Sequence, residues 1–283
     1  MGEVSIEEAP APWTCKCSMY WMMFSISGPL PENAYAPLEA ETAAVSDPEK
    51  SGQFRGGLGS MQIVRYSSTP AGSYDELLIV PGTFDVPGTK DKNNRITRIY
   101  VSQKKTCYNA NIQGRKNWGI PKHLARFVFT TPPTISNSPK VLKVEVFPPD
   151  PAAEKPFLTA TFQQMRYLPG VPLSTNIMPY IGLDVRMSQP PLPASLNPSE
   201  GELVGSDHWY RTLPAVYAPK AIAMWVDFRL PKAKGNKGED SAVDGEEVTE
   251  DLAAWWPDVK PWKFGLWVED ATLEFGEPEI LKE

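Results

Sequence analysis

The chain has few of the side chains that bind metals or transfer protons near neutral pH. It contains two histidines, His123 and His208, and three cysteines among 283 residues. A histidine-built metal site and a Ser-His-Asp triad are therefore disfavoured. An odd number of cysteines argues against a disulfide framework, and Cys15 and Cys17 are too close in sequence for an ordinary zinc site. We expect reduced thiols and a cytoplasmic protein.

Several sequence motifs are also absent. The chain has no G-x-S-x-G nucleophile elbow, no P-loop and no glycine pattern for dinucleotides. It has no run of eighteen apolar residues, so we expect no membrane span. The net charge of −6, from 28 basic and 34 acidic residues, offers no basic surface for nucleic acid. We therefore expect no cofactor, no metal, no nucleic acid and no membrane partner, and a small molecule as the ligand.

What the chain does contain predicts a mainly β fold with a few short helices. Thirty prolines, about twice the average share, divide it into short runs typical of antiparallel β proteins. Apolar and polar residues alternate over Val141–Phe147 and Phe157–Gln163. The other predicted strands are Cys17–Ile26, Ser60–Tyr66, Tyr74–Val80, Ile96–Ser102, Leu124–Thr130, Ala221–Arg229 and Gly265–Phe275. Helices are predicted only over 37–44 and within 250–256, and the strand spacing favours a sandwich or barrel.

The domain organisation follows from length and composition. A single domain over residues 1–283 is expected, because β-rich domains of this size are often undivided. Residues 1–12 are acidic and rich in proline and alanine, which predicts a flexible tail. Residues 232–250 are rich in Lys, Gly, Glu and Asp, which predicts a flexible inserted loop. The sequence leaves homo-oligomerisation open.

The most informative segment places Lys122 directly after a proline, in apolar surroundings. An ammonium buried without a partner is costly, and a dry wall lowers the pKa of a lysine. A neutral lysine is a nucleophile that can form a Schiff base with a ketone. The alternative is a lysine whose stem packs on the surface while its head group reaches water. Lys220 also follows a proline in an apolar run and is a weaker rival.

Two motifs resemble those of the acetoacetate decarboxylase family. Gly114-Arg115, Pro121-Lys122 and Leu124 are similar to the family segment that carries its reactive lysine. Tyr74-Asp75-Glu76 resembles the family's Tyr-x-Glu motif, and a weaker similarity extends through Asn176–Pro179. The resemblance implies an antiparallel closed or double β-barrel, with Lys122 as the Schiff-base lysine and Glu76 as the proton-handling or orienting carboxylate. It also implies a substrate-binding group made of Arg115, Trp118, Gln62, Met178 and His123.

The chain departs from the family pattern at several positions. His123 stands where the family has a second lysine, Lys116 where it has a glutamate, and Gln62 where it has a further acid. No arginine occurs between Cys17 and Lys50, where the family carries one that meets the substrate carboxylate. These departures indicate a changed substrate. In an extended strand His123 would point away from Lys122, so that exchange costs little chemistry.

Several functions remain open at this stage. The first is a Schiff-base lyase that decarboxylates a β-keto acid or acts on a related carbonyl compound through Lys122. The same lysine could serve an aldolase-dehydratase. A second hypothesis is a binding barrel that kept the pocket and lost the chemistry. A third is a cyclase or isomerase for a hydrophobic metabolite that uses no imine.

Overall fold

A computed structural model describes residues 6–31, 33–110, 117–133, 138–194, 205–229 and 259–281. Within these ranges the strands are β1 (Trp13–Ile26), β2 (Phe54–Ser68), β3 (Tyr74–Val80), β4 (Thr83–Asp85), β5 (Lys92–Asn94), β6 (Arg98–Val101), β7 (Lys122–Leu124), β8 (Arg126–Thr130), β9 (Val141–Phe147), β10 (Leu158–Gln164), β11 (Val171–Ser174), β12 (Met187–Gln189), β13 (Trp209–Thr212), β14 (Ala215–Arg229), β15 (Phe264–Phe275) and β16 (Glu279–Leu281). The helices are α1 (Pro37–Ala40), α2 (Ala43–Ser46), α3 (Pro48–Ser51), α4 (Lys104–Ala110) and a 3-10 helix (Thr175–Ile181).

Four long strands organise the sheet. β1 lies between β2 and β15, and β15 pairs in turn with β14, all antiparallel. The long strands exchange neighbours along their length: β2 pairs with both β3 and β4, and β14 with both β10 and β11. Two pairs, β6 with β7 and β5 with β12, are parallel. The result is one large mixed sheet.

The sheet is not closed into a barrel by the described residues. Its hydrogen-bonded path runs from β16 to β8, and these two terminal strands do not pair. The prediction of a mainly β fold is confirmed, whereas the purely antiparallel, closed sheet is not found. The physical reason is that β2 and β14 each pair with two different strands at different points along their length. The sheet therefore branches at these strands, whereas the sheet of a simple barrel would continue until its first and last strands pair.

Two apolar cores lie on opposite faces of the central strands. Because successive side chains of a strand point to opposite faces, β1 sends Cys17 and Met19 into one core and Tyr20 and Met22 into the other. The first core, which contains Val64, Leu78, Ile99 and Val101, also contains the candidate lysine's neighbours. The second core contains Ile63, Leu77, Phe162 and Trp267. Burial of β1 on both faces explains the continuous apolar run Met19–Phe24 in the second half of the strand.

The sequence located the long strands better than the short elements. β3 and β9 have the predicted bounds, and the other predicted strands overlap observed ones. The predicted helix over 37–44 is split into α1 and α2, with Thr42 extended between them. The short strands β4, β5, β11, β12, β13 and β16 and helix α4 were not predicted. The predicted loop 232–250 and helix 250–256 lie outside the described residues.

The described part of the predicted N-terminal tail, residues 6–12, contacts α4 and the segment that follows it. The Ala9 amide donates to Asn109 Oδ1 at 2.5 Å, and the Ala11 amide donates to Asn117 Oδ1 at 3.1 Å. Lys105 forms an ion pair with Glu7 at 2.8 Å. Among the described helices, none is long and apolar enough to cross a bilayer.

Candidate active site

Strand pairing brings Lys122 and Glu76 to the same face of the sheet. β6 lies between their strands, since Glu76 is opposite Val101 and Lys122 is opposite Ile99. Ile99 and Val101 are two residues apart and point into the first core, so both charged side chains enter it. The turn before β7 depends on Gly119, which has a φ of 59° and lies so close to Tyr210 that a Cβ would be 2.6 Å from its ring. Only glycine fits there, and its backbone conformation directs the chain into β7, which begins at Lys122.

Lys122 and Glu76 form a buried ion pair. The distance from Lys122 Nζ to Glu76 Oε2 is 2.8 Å, and the two residues are 6% and 3% exposed. The ammonium also donates to Thr106 Oγ1 at 3.0 Å and to the Tyr74 hydroxyl oxygen at 3.2 Å. Its three N–H groups therefore have three acceptors, which is the condition for burying an ammonium at tolerable cost.

Glu76 is held by two tyrosines as well as by the lysine. The Tyr66 hydroxyl donates to Oε1 at 3.2 Å, and the Tyr74 hydroxyl donates to Oε2 at 3.3 Å. The two phenol rings stack with centroids 4.4 Å apart. Tyr66 and Tyr74 are cross-strand partners, and this places their hydroxyls side by side on one face of the sheet. Burial, followed by the Glu76 charge, raises the pKa of both phenols, so they remain proton donors to the carboxylate.

The prediction of a lysine made neutral by an apolar wall is wrong for this structure. Burial works to lower the pKa of Lys122, but the Glu76 carboxylate and the Tyr74 oxygen outweigh it, and the pKa lies above its ordinary value. The residue that the sequence suggested as a proton carrier is thus also the residue that keeps the lysine charged. The surroundings are otherwise dry: burial raises the pKa of the Cys15 and Cys17 thiols to about 12.

The raised pKa fixes the pH range in which this pair stabilises the fold. A lysine whose folded-state pKa exceeds its unfolded value contributes stability that is fully present below the unfolded value. That contribution is lost as the pH rises through the folded-state pKa of Lys122. Titration of Lys122 therefore leaves the pair intact at neutral pH and breaks it in strongly alkaline solution.

His123 belongs to a different environment from Lys122. Its Nε2 lies 3.0 and 3.1 Å from the two carboxylate oxygens of Glu39, a residue of α1 that is buried. It is paired with Tyr100 across β6 and β7, and Tyr100 belongs to the second core. His123 therefore faces away from the Lys122 amine, as an extended strand requires.

The other predicted substrate-binding residues are dispersed. Trp118 is buried in the first core, where its indole N–H donates to the Gly276 carbonyl at 2.8 Å. Gln62 is half-buried on the face of β2 that carries Val64, the cross-strand partner of Glu76. Met178 is half-buried in the 3-10 helix. Arg115 lies outside the described residues.

Sequence reasoning gave no role to three of the residues that form the site, although it named Tyr74 in the Tyr-x-Glu motif. Tyr74 is two residues before Glu76 on one strand, so strand periodicity alone places both on one face. Tyr66 needed the register of β2 against β3. Thr106 needed α4, which the sequence did not predict, and α4 packs beside β7.

A cleft of about 590 Å³ lies beside the site. Its lining includes Arg65, Asp75 and Tyr20 together with Tyr66 and Cys17 of the first core, and it does not include Lys122 or Glu76. Arg65 and Asp75 are the chain neighbours of Tyr66 and Glu76, so their side chains leave the sheet on the opposite side. The cleft therefore reaches Tyr66 of the site without reaching the buried ion pair itself.

The ion pair predicts strongly coupled stability effects. Lys122→Met leaves the Glu76 carboxylate buried without its cation, and we expect a loss of about 3–5 kcal/mol in the free energy of unfolding. Adding Glu76→Gln removes that charge, so the double variant should be more stable than Lys122→Met alone. Urea unfolding of the four proteins measures the coupling. Losses that simply add would mean that the two charges do not depend on each other.

Glu76→Gln also tests what holds the lysine charged. Without the carboxylate, burial should prevail and the pKa of Lys122 should fall below its ordinary value. A pH titration of the ¹⁵N-labelled lysine side chain by NMR measures this. Glu269→Gln is the matched control, because Glu269 pairs with Lys140 and Lys220 on the surface. A Lys122 pKa that stays raised in Glu76→Gln would contradict the assignment.

Comparison with known proteins gives a short sequence match and a likeness of fold. No family model matches the chain. Protein NEOXANTHIN-DEFICIENT 1 of Oryza sativa subsp. japonica is 34% identical over 84 residues, which are 30% of this chain. The match spans 26% of that protein, about a quarter of its length.

Two solved structures of the enduracididine biosynthesis enzyme MppR cover 99% of this chain. The one complexed with the condensation product of pyruvate and imidazole 4-carboxaldehyde has a TM-score of 0.54 at 12% identity, over 92% of its own chain. The one complexed with pyruvate has a TM-score of 0.53 at 14% identity, over 93% of its chain. At this identity the likeness establishes a shared fold across nearly the whole chain.

Proposed function

We propose that the protein is a Schiff-base-forming lyase that acts on a β-keto acid or a related carbonyl compound through Lys122. The observation that carries the proposal is the 2.8 Å contact between Lys122 Nζ and Glu76 Oε2 inside a dry core. An amine nucleophile with a base in hydrogen-bond reach is the arrangement that imine chemistry needs.

Glu76 acts first, as the base. In the resting pair the lysine is an ammonium and cannot attack. Transfer of one proton from Nζ to Oε2 turns two buried charges into a neutral amine and a neutral carboxyl, which a low-dielectric core tolerates well. The Tyr66 and Tyr74 hydroxyls oppose this step, because both donate to the charged carboxylate. A carbonyl compound that takes the Tyr74 hydroxyl as its own donor would relieve that opposition.

The neutral amine then attacks the carbonyl carbon. A C–N bond forms, the carbonyl oxygen takes one proton from the amine and one from Glu76, and water leaves to give a protonated imine. In a β-keto acid the bond to the carboxylate breaks, carbon dioxide leaves, and its electron pair enters the enamine. Dehydration has taken the proton from Glu76, so the enamine carbon is protonated by a water molecule that the carboxylate orients, and hydrolysis by the resulting hydroxide returns the lysine. Thr106 and Tyr74, which accept hydrogen bonds from Nζ in the resting pair, fix its position before the attack.

Support comes from sequence and fold together. The Pro121-Lys122 and Tyr74-Asp75-Glu76 segments resemble acetoacetate decarboxylase motifs, and their two functional residues meet in the structure. The structural neighbour MppR is complexed in one structure with pyruvate and in the other with a pyruvate condensation product. Both ligands derive from a carbonyl compound, which agrees with a carbonyl substrate here. The same enamine could instead attack an aldehyde, which would make the reaction a condensation.

A second candidate is a binding protein without imine chemistry. The observation that favours it is the fully satisfied ammonium, whose three donors and raised pKa suit a structural pair as well as a resting enzyme. The departures from the decarboxylase pattern at Gln62, Lys116 and His123 point the same way.

Borohydride trapping distinguishes the two candidates. We expect reduction in the presence of a panel of keto acids, ketones and aldehydes to attach one ligand irreversibly to Lys122, located by peptide mass mapping. Lys122→Arg should abolish the label, since a guanidinium forms no imine. Lys220→Arg, which alters the exposed lysine of the other Pro-Lys pair, should leave the label unchanged.

The outcomes separate the reaction types as well. Release of carbon dioxide from a labelling keto acid identifies a decarboxylase, and a new carbon–carbon bond in the presence of an aldehyde identifies a condensing enzyme. Binding of carbonyl compounds without any label on Lys122 would establish the binding protein and end the imine proposal.

A further inference from the structure

The cleft beside the lysine site carries charged groups that the chemistry at Lys122 does not use. Its volume of about 590 Å³ lies within the usual range of small-molecule sites. The charged residues of its lining are Lys16, Arg65, Asp75 and Asp270, so the formal charges of the lining cancel. A ligand that matches this lining therefore carries charges of both signs.

Two irregularities of strand pairing lie at the cleft. β1 shifts its register against β2 between Lys16 and Cys17, and against β15 between Cys17 and Met19. Asp270 lies within the second shift and has a φ of 53°, a left-handed conformation that aspartate tolerates better than most residues. Bulges re-aim side chains, and this one brings Asp270 into the lining of the cleft.

The Tyr20 hydroxyl is a buried polar group without a partner. Tyr20 lines the cleft, although the residue is only 4% exposed. Its ring stacks on Phe162 with centroids 5.1 Å apart and makes an edge contact with Trp267. The hydroxyl makes no hydrogen bond to any residue that the structure describes. Because most buried hydroxyls are hydrogen-bonded, this one is suited to a ligand in the cleft.

The same hydroxyl lies close to the charged lining and remains a donor. Burial raises the pKa of Tyr20 to about 12, so the phenol keeps its proton at neutral pH. The Arg65 charge is the next influence on this pKa and lowers it, which places the guanidinium near the hydroxyl.

Arg65 has further donors available beside Tyr20. Its Nε donates to Asp75 Oδ1 at 3.3 Å, and its terminal nitrogens have no acceptor among the described residues. The guanidinium lies over the Phe129 ring, 3.9 Å from the centroid, which restricts its plane. A guanidinium with both terminal nitrogens available binds a carboxylate through parallel hydrogen bonds. Arg65 and Tyr20 can therefore donate to one anionic group.

Asp270 provides an acceptor on the other side of β1. It is exposed, and its carboxylate has no ion pair with a described residue. The neighbouring Glu269, in contrast, is already paired with two lysines. β1 lies between β2 and β15, so the backbones that carry Arg65 and Asp270 are about 10 Å apart. Ser18, the cross-strand partner of Arg65, lies between them and also lines the cleft.

We propose that this cleft is a second binding site, whose ligand is a small zwitterion of the amino-acid type. Arg65 and the Tyr20 hydroxyl bind its carboxylate, and Asp270 binds its ammonium. A plain anion would leave Asp270 beside a like charge, and a plain cation would leave Arg65 in the same position. Lys16 does not neutralise Asp270, because its ammonium donates to Thr272 Oγ1 at 2.7 Å.

The inference is independent of the proposed function. An amino acid contains no ketone or aldehyde, so it forms no imine with Lys122. The cleft also does not reach the buried ion pair. Binding of an amino acid is therefore measured without any chemistry at the lysine.

Isothermal titration calorimetry of the full chain with the free amino acids of proteins tests the inference. We expect at least one of them to bind, one molecule per chain, with a dissociation constant in the millimolar range or below. Its N-acetyl derivative lacks the ammonium and its amide lacks the carboxylate. Each derivative should bind about tenfold more weakly or worse, since one charge-assisted contact is lost.

Three variants locate the bound ligand. Tyr20→Phe removes only the unpartnered hydroxyl, so the fold should keep its stability while the affinity falls about tenfold. Arg65→Gln should weaken binding at least as much, because it removes the guanidinium. Asp270→Asn should weaken binding of the amino acid and leave binding of its N-acetyl derivative unchanged.

Arg55→Gln is the matched control for Arg65→Gln. Arg55 forms a half-exposed ion pair with Asp85, much as Arg65 does with Asp75, but does not line the cleft. This variant should bind like the wild-type protein. Circular dichroism of all four variants checks that each is folded.

A measurement on the unaltered protein does not depend on how the variants fold. With ring-¹³C tyrosine, the bound amino acid should shift the NMR signals of Tyr20 and leave those of the exposed Tyr180 in place. Acetate and inorganic phosphate are the anion probes, and binding of either as tight as that of every amino acid overturns the zwitterion assignment. Absence of binding by all amino acids, or binding that Tyr20→Phe and Arg65→Gln leave unchanged, overturns the inference as well.

Discussion

The buried ion pair between Lys122 and Glu76 is the interaction on which the rest of the site depends. Two opposite charges 2.8 Å apart in a dry core are tolerable only when every remaining donor and acceptor is satisfied. Thr106, Tyr66 and Tyr74 meet that condition, and they come from α4 and from the consecutive strands β2 and β3. The pair therefore requires this fold, and any chemistry at the lysine has to begin by moving the proton that the pair shares.

The alternation of side chains on strands with two buried faces assigns each residue to one of two separate environments. Lys122 and His123 are adjacent in the chain, yet the first faces Glu76 in one core and the second faces Glu39 beside the other. Tyr66 and Arg65 divide in the same way, since Tyr66 donates to Glu76 whereas Arg65 pairs with Asp75. Proximity in sequence is a poor guide to a site on such a sheet, whereas spacing by two is a good one.

Much of the fold and of the candidate site could be predicted from the sequence, and the predictions that were wrong failed for physical reasons. Alternation located β9 and β10, and the lysine motif and the Tyr-x-Glu motif supplied the two charged residues that meet. Short strands such as β12 and β16 have three residues and carry no periodic signal. The pKa of Lys122 was predicted to be lowered, whereas it is raised. Apolar neighbours in sequence give no information about the Glu76 carboxylate, which lies near the lysine because both of their strands pair with β6. Branching of the sheet at β2 and β14 is likewise a property of long-range pairing.

A crystal structure of the protein reduced with borohydride in the presence of a carbonyl compound would test the central claim most directly. The account predicts continuous density from Lys122 Nζ to a ligand carbon within the first core, with Glu76 in hydrogen-bond reach of the new bond and the Tyr74 hydroxyl turned towards the ligand. An intact Lys122–Glu76 contact at 2.8 Å, with the ligand bound elsewhere or absent, would contradict it.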